Sequence, residues 1–215
     1  MARRSAVPSA EVSAGNPCPF LRALVAQGEL ADGTEPLSRV ASTVARVART
    51  GDGHPQLPAA AIYAIALIAH GLLPWQTART QLQGLRLNGL RDGPLDKHGV
   101  GSGILDAQGR VVQDELARLD EFASDCTDRE GHRERGLRAE DLVRFMDANA
   151  ERARDRRRAI DRKLMDGEWP VLLKVMGKGG PQGRYLSLAE LRTLFVERRL
   201  PARMRAQLAG NDDRR

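Results

Sequence analysis

The run Ala59-Ala60-Ala61-Ile62-Tyr63-Ala64-Ile65-Ala66-Leu67-Ile68-Ala69 has no charged side chain, and its one polar side-chain atom is the Tyr63 hydroxyl. At helical spacing it is apolar nearly all round. It has no face to give to water, so a helix here belongs at the centre of the fold. The apolar stretch reaches Leu73, but Tyr63 and His70 interrupt it, and it falls short of the roughly 20 apolar residues that a bilayer span needs. No membrane partner is expected. Aromatic residues make up 4% of the chain, so the side chains that cover this helix must come mainly from Ala, Leu and Val. A chain of 215 residues, 41% hydrophobic and 29% charged, has the length and composition for one sizeable globular core.

The other periodic segments are also helical. Phe20, Leu21, Leu24 and Val25 predict a helix from Pro19 to about Ala26, with Gly28 as its C-terminal stop. Leu37, Val40, Val44 and Val47 predict a second over 36–50. Residues 75–111 are poor in period and rich in Gly, and read as a long loop. Val112 to Ala123 reads as one helix, Thr127 to Arg135 as a charged loop, and Leu137 to about Met165 as a long helix ended by Pro170. Residues 168–186 then form at most one small β-hairpin. Ser187 with Glu190 is a capping box opening a helix over 188–198. The expectation is an all-α, single-domain bundle of six to seven helices. Residues 1–15 form a flexible arm, 16–203 the folded body and 204–215 a polar tail.

Pro17-Cys18-Pro19 carries the clearest chemical signal. Pro19 is suited to the first helical position, which puts Cys18 at the N-cap. Unpaired backbone N–H groups and the positive helix end favour a thiolate there. Read alone, Cys18 is either a structural cysteine or a thiolate that serves as ligand or nucleophile. Cys126, the other cysteine, has no assigned role. Two cysteines make no disulfide framework in a chain this long, and no apolar segment of a secretory leader follows Arg3-Arg4, so a reduced, cytoplasmic setting is expected.

Three segments in order resemble the haem-thiolate peroxidases, the chloroperoxidase and unspecific peroxygenase family. Pro17-Cys18-Pro19 with Leu21, Leu24, Gly28, Leu30 and Gly33 is similar to the family's haem-binding start. Leu95-Asp96-Lys97-His98-Gly99 is similar to its Glu-His-Asp motif, with the histidine kept. Leu194-Phe195-Val196-Glu197-Arg198-Arg199-Leu200-Pro201 is similar to its closing helix and Glu-Arg-Leu-Pro end. The resemblance covers about 16–201. It implies a chloroperoxidase-like helical fold and haem b as cofactor, with Cys18 as axial ligand to the iron. Backbone N–H groups of Phe20 and Leu21 would tune the thiolate. Glu168, before an apolar stretch and a Gly, corresponds to the family's acid–base glutamate, and His98 to the histidine that positions it. The family's first motif acid binds a cation, generally magnesium, beside a haem propionate. Lys97 stands there instead, and Gly99 replaces the closing Asp. Either the Lys97 ammonium pairs with the propionate itself, or Asp96 supplies the carboxylate. The implied activity is oxidation or oxygenation of a small organic substrate by hydrogen peroxide.

Two other readings stand beside it. A descendant with the altered motif can bind haem or a small ligand without peroxide turnover. A net charge of +6 and an Arg-rich segment after Glu151 suit an anionic partner such as nucleic acid, but aromatics for base stacking are scarce and no DNA-binding motif is present. His54 and His70 belong to no motif.

Overall fold

A computed structural model describes residues 11–49, 58–69, 71, 73–91, 93–96, 103–155 and 161–212. Helix α1 (Pro19–Ala26) begins at Pro19 with Cys18 as N-cap, as the sequence predicts. It ends in a Schellman motif: Gly28 N–H donates to the Val25 carbonyl and Glu29 N–H to that of Leu24, both at 2.9 Å. Gly28 takes φ +75°, a conformation that glycine adopts without a Cβ penalty. Helix α2 (Leu37–Ala48) buries Leu37, Val40, Val44 and Val47 at the expected spacing.

Helix α3 (Ala59–Ala69) forms where expected but is a wall rather than a centre. Ile62 and Ala66 are buried, whereas Ile65 is 42% and Ile68 37% exposed. Its inner side packs on α2. The expected loop over 75–111 contains a further helix, α4 (Pro74–Gln83). Pro74 opens it, and the Gln76 side chain accepts from Leu73 N–H at 3.1 Å. Its polar sequence hides the helix from a hydrophobic-period reading, because Thr80 is the one buried residue among its ten. Strand β1 (Thr34–Glu35) then pairs antiparallel with β2 (Leu85–Arg86).

The second half departs from the all-α expectation: the fold is mixed α/β. The segment 112–123 splits into α5 (Gln113–Ala117) and α6 (Leu119–Phe122). The predicted charged loop is a hairpin of β3 (Ser124–Thr127) and β4 (Arg133–Arg138). Together with β5 (Lys178–Gly180) and β6 (Gly183–Ser187) it builds a four-stranded antiparallel sheet in the order β3-β4-β6-β5. Leu137 opposite Leu186 is its buried pair. The other pairs each contain a polar residue or a glycine. Glu134 on β4 accepts from Tyr185 Oη at 2.7 Å and Ser187 Oγ at 2.5 Å, and pairs with Lys178. Cross-strand polar bonds therefore take the place of alternating apolar residues.

The predicted long helix is two. Helix α7 (Ala139–Arg152) stops after Arg152, and α8 (Asp161–Met176) runs straight through Pro170. Pro170 has no N–H to close on the carbonyl of residue 166. Burial of Trp169, Leu172, Val175 and Met176 offsets that loss. Phe145 of α7 packs edge-on against both Phe122 and Trp169, with ring centroids 5.4 Å apart in each pair. Helix α9 (Leu188–Val196) starts at Ser187, whose Oγ accepts from Glu190 N–H. The Glu190 carboxylate is used elsewhere, at 2.8 and 2.9 Å from the Arg203 guanidinium.

Both ends of the expected domain are drawn in differently. Of the predicted arm, residues 11–15 are docked: Val12 is buried, Ser13 N–H donates to the Asp32 carboxylate, and the Gly15 carbonyl accepts from Leu90 and Arg91. The predicted polar tail continues α10 (Ala202–Asp212), which buries Met204 and Leu208. Those two apolar residues stand four apart, one helical turn, and anchor the helix to the core.

Candidate functional site

Helices α1, α2, α3 and α8, with the segment before residue 97, line an open cleft of about 510 Å³. Cys18 and Glu168, assigned to one site from opposite ends of the chain, both line it. So do Phe20 and Leu21. The walls are mainly apolar, with Val44, Ile65, Leu85 and Leu172 among them. The polar residues among its lining are Cys18, Arg91, Asp96 and Glu168.

The Cys18 end is built on Arg22, one turn further along α1. This guanidinium is 2% exposed and spreads over three backbone carbonyls: Ser13 at 2.7 Å, Asn16 at 3.0 Å and Gly109 at 3.0 Å. Gly109 has φ +71°, and a Cβ there would lie 2.8 Å from Arg22 Nη1. Only glycine lets the 104–112 turn approach this closely. Asp106 shapes that turn by accepting from the N–H groups of Gln108 and Arg110. Burial lowers the Arg22 pKa from its ordinary value, and the neighbouring Arg198 and Arg91 lower it further. The charges of Asp32 and Cys18 oppose that. Buried Asn16 holds the loop from the other side, its Oδ1 accepting from Cys18 N–H at 3.2 Å. The Cys18 side chain makes no capping bond to its own helix. It takes part in no disulfide and is half-buried. Cys126 by contrast is buried in β3, and burial pushes its thiol up.

The opposite wall comes from α8. Glu168 lies inside this helix, eight residues before its end, rather than at the helix terminus that the sequence reading gave it. Trp169, wedged against Phe145, fixes the turn that carries it. Glu168 is exposed, and so lies at the accessible side of the cavity rather than in a closed apolar pocket.

Leu95 and Asp96 bring the start of the second motif to the cavity. Lys97 and His98 lie outside the described residues, as do His54 and His70. Arg91 is a site residue that sequence reasoning missed. Its guanidinium donates to the carbonyls of Ala14 and Asp106 at 3.2–3.4 Å. No carboxylate among the described residues forms an ion pair with it. Nothing in the local sequence Leu90-Arg91-Asp92-Gly93 marks this arginine out; the docked 11–15 segment gives it its position.

A second polar group lies on the β3–β4 hairpin. Ligand atoms of Asp128, Glu130 and His132 fall within 4.8 Å of one another. The Asp128 carboxylate is already engaged, accepting from the N–H groups of Glu130 and His132 and facing Lys178 at 3.4 Å. The arrangement caps the hairpin turn.

The chain finds no match among protein-family models, curated proteins or solved structures. The haem-thiolate resemblance therefore rests on the quoted residues.

Proposed function

We propose that this cavity binds haem with Cys18 as axial ligand, and that the protein is a peroxidase or peroxygenase acting on a small organic substrate with hydrogen peroxide. The observation that carries this is the convergence of Cys18 and Glu168 on one apolar cavity. Its volume, about 510 Å³, is within the roughly 300–1,000 Å³ of cofactor and small-ligand sites. The donor set fits: one thiol at a helix N-terminus, apolar walls, and the Arg91 guanidinium for the cofactor's carboxylates. A thiolate-ligated haem supplies the electron push that favours O–O cleavage.

The chain's own residues have separable parts. Cys18 holds the metal, kept in place by Asn16 and Arg22. Glu168 takes the proton of hydrogen peroxide at its carboxylate and returns it to the departing oxygen. For His98, which lies outside the described residues, the family resemblance alone implies the part of positioning Glu168. Ile65, Ile68, Leu85 and Phe195 give an apolar substrate its contacts.

The test is the visible spectrum of protein produced with haem supply. Reduced protein under carbon monoxide shows the red-shifted Soret band of thiolate ligation, and Cys18→Ala loses it. Glu168→Gln keeps the band and loses peroxide-dependent oxidation. Absence of the band from the parent protein overturns the assignment.

The exposure of Glu168, together with Lys97 and Gly99 in the second motif, favours one further reading: a haem- or ligand-binding protein without turnover. A normal thiolate band with no peroxide-dependent oxidation, unchanged in Glu168→Gln, selects it.

A further inference from the structure

Five of the eight large apolar side chains exposed among the described residues fall between positions 65 and 82: Ile65, Ile68, Leu73, Trp75 and Leu82. They lie on α3 and α4, which meet at a bend of 115°. Ile65 and Ile68 also line the cavity. Leu73, Trp75 and Leu82 do not; they are 52%, 61% and 86% exposed. On α4, Trp75, Arg79 and Leu82 follow at intervals of four and three, which stacks them on one face. The buried Thr80 is on the other.

The charge of this stretch of sequence is one-sided, and the acidic residue paired beside it, Glu35, is buried. No Asp or Glu occurs between Asp52 and Asp92, in a chain that has 28 of them. Arg79 bonds to the Gln83 amide, and Arg86 is exposed. Neither is paired with a carboxylate among the described residues. An apolar stripe with a tryptophan at its edge and unpaired arginines beside it matches a surface of anionic lipid. Trp favours the headgroup level, and Arg buries its stem while its charge reaches phosphate. No single described helix is long and apolar enough to cross a membrane; lying on one requires no such length.

We propose that the α3–α4 corner docks on an anionic membrane surface, with Leu73, Trp75 and Leu82 entering the acyl boundary and Arg79 and Arg86 at the headgroups. Helix α3 is also a wall of the cavity, so docking sets the Ile65–Ile68 side of that cavity beside the lipid. The docking does not depend on haem.

Trp75 reports on it directly. The chain's second tryptophan, Trp169, is 3% exposed and already shielded. Full-length protein is titrated with vesicles of phosphatidylcholine alone and with vesicles containing one third phosphatidylglycerol. The expected result is a blue shift of Trp75 emission and co-sedimentation with the anionic vesicles. From two arginines, partition is roughly thirtyfold stronger there than on the zwitterionic vesicles. Added salt weakens it. Trp75→Glu/Leu82→Glu, checked for folding by circular dichroism, loses the sedimentation, and Arg79→Gln/Arg86→Gln loses the preference for anionic lipid. Equal sedimentation of Trp75→Glu/Leu82→Glu and the parent overturns the proposal, as does no blue shift on any vesicle. So does a dimer in solution that Trp75→Glu/Leu82→Glu converts to monomer, which would mean that a second copy covers this face.

Discussion

Replacing Arg22 by methionine removes the charge buried behind Cys18 and leaves three carbonyl oxygens without their donor. Each bond from a charged donor contributes about 1.5–3 kcal/mol net, so three would give about 4.5–9 kcal/mol if nothing opposed them. Three bonds from one side chain share a single desolvation cost and do not add, so that sum is a ceiling; burial is also the main cause of the lowered Arg22 pKa. Methionine keeps much of the stem's packing, and the half-buried Ser13 carbonyl regains water. The balance is a loss of about 3 kcal/mol, close to the 3–5 kcal/mol of breaking a buried charged contact. For a chain of this size that lowers Tm by about 6–12 °C. Arg22→Lys keeps the charge but not the planar fork, and should lose about half as much. Urea unfolding followed by tryptophan emission, with a thermal melt beside it, measures both. An Arg22→Met protein within about 0.5 kcal/mol of the parent, the scatter of a neutral surface change, would falsify the account of how Cys18 is held.

Three further outcomes are expected. Glu134 is held below its ordinary pKa: burial works against this, but bonds from Lys178, Ser187 and Tyr185 outweigh it. Asp128 is lowered to about 2, first by the His132 backbone N–H. Both carboxyls therefore add stability that is complete above their ordinary values of 4.5 and 3.8 and is lost as pH falls through the depressed ones. Melting temperature should drop between about pH 4.5 and 2, and Glu134→Gln should flatten that drop while lowering the plateau. Met204→Ala, in a fully buried position of α10, should cost about 2–5 kcal/mol by denaturant titration. A loss under 0.5 kcal/mol would restore the view of 204–215 as a tail. Gly109→Ala meets both a positive φ and the Arg22 guanidinium, and should destabilise by about 1–3 kcal/mol in the same assay.

Helices α1 and α2 were legible because they bury regular apolar stripes. Leu37, Val40, Val44 and Val47 identify α2, and Pro19 and Gly28 bracket α1. The sheet was not, because its strands are short and held by charged partners. Arg-Glu-Arg-Gly-Leu-Arg in β4 has no alternation to read, and its stability comes from Glu134 meeting Lys178, Tyr185 and Ser187 across strands. Pro170 misled in the opposite direction: local propensity ends the helix there, while Trp169 and Leu172 keep it packed. Within the site, Cys18 could be singled out from the chain itself, and Glu168 through the family resemblance alone. Arg22 and Arg91 could not, since what distinguishes them is burial and the carbonyls brought to them by 11–16 and 106–109.

The hydrogen bond from Arg22 to Gly109 spans 87 positions, and this dates the completion of the Cys18 cradle during synthesis. Helix α1 is synthesised long before the 104–112 turn, so its guanidinium lacks one of its three acceptors until that turn has been made. At ~5–20 residues per second that interval is on the order of 10 s. Throughout it Cys18 is a thiol at a helix start without its finished surroundings, open to oxidation. Closure of the turn completes those surroundings, so the contact that braces the cysteine's loop in the mature fold is also the last part of its cradle to be made.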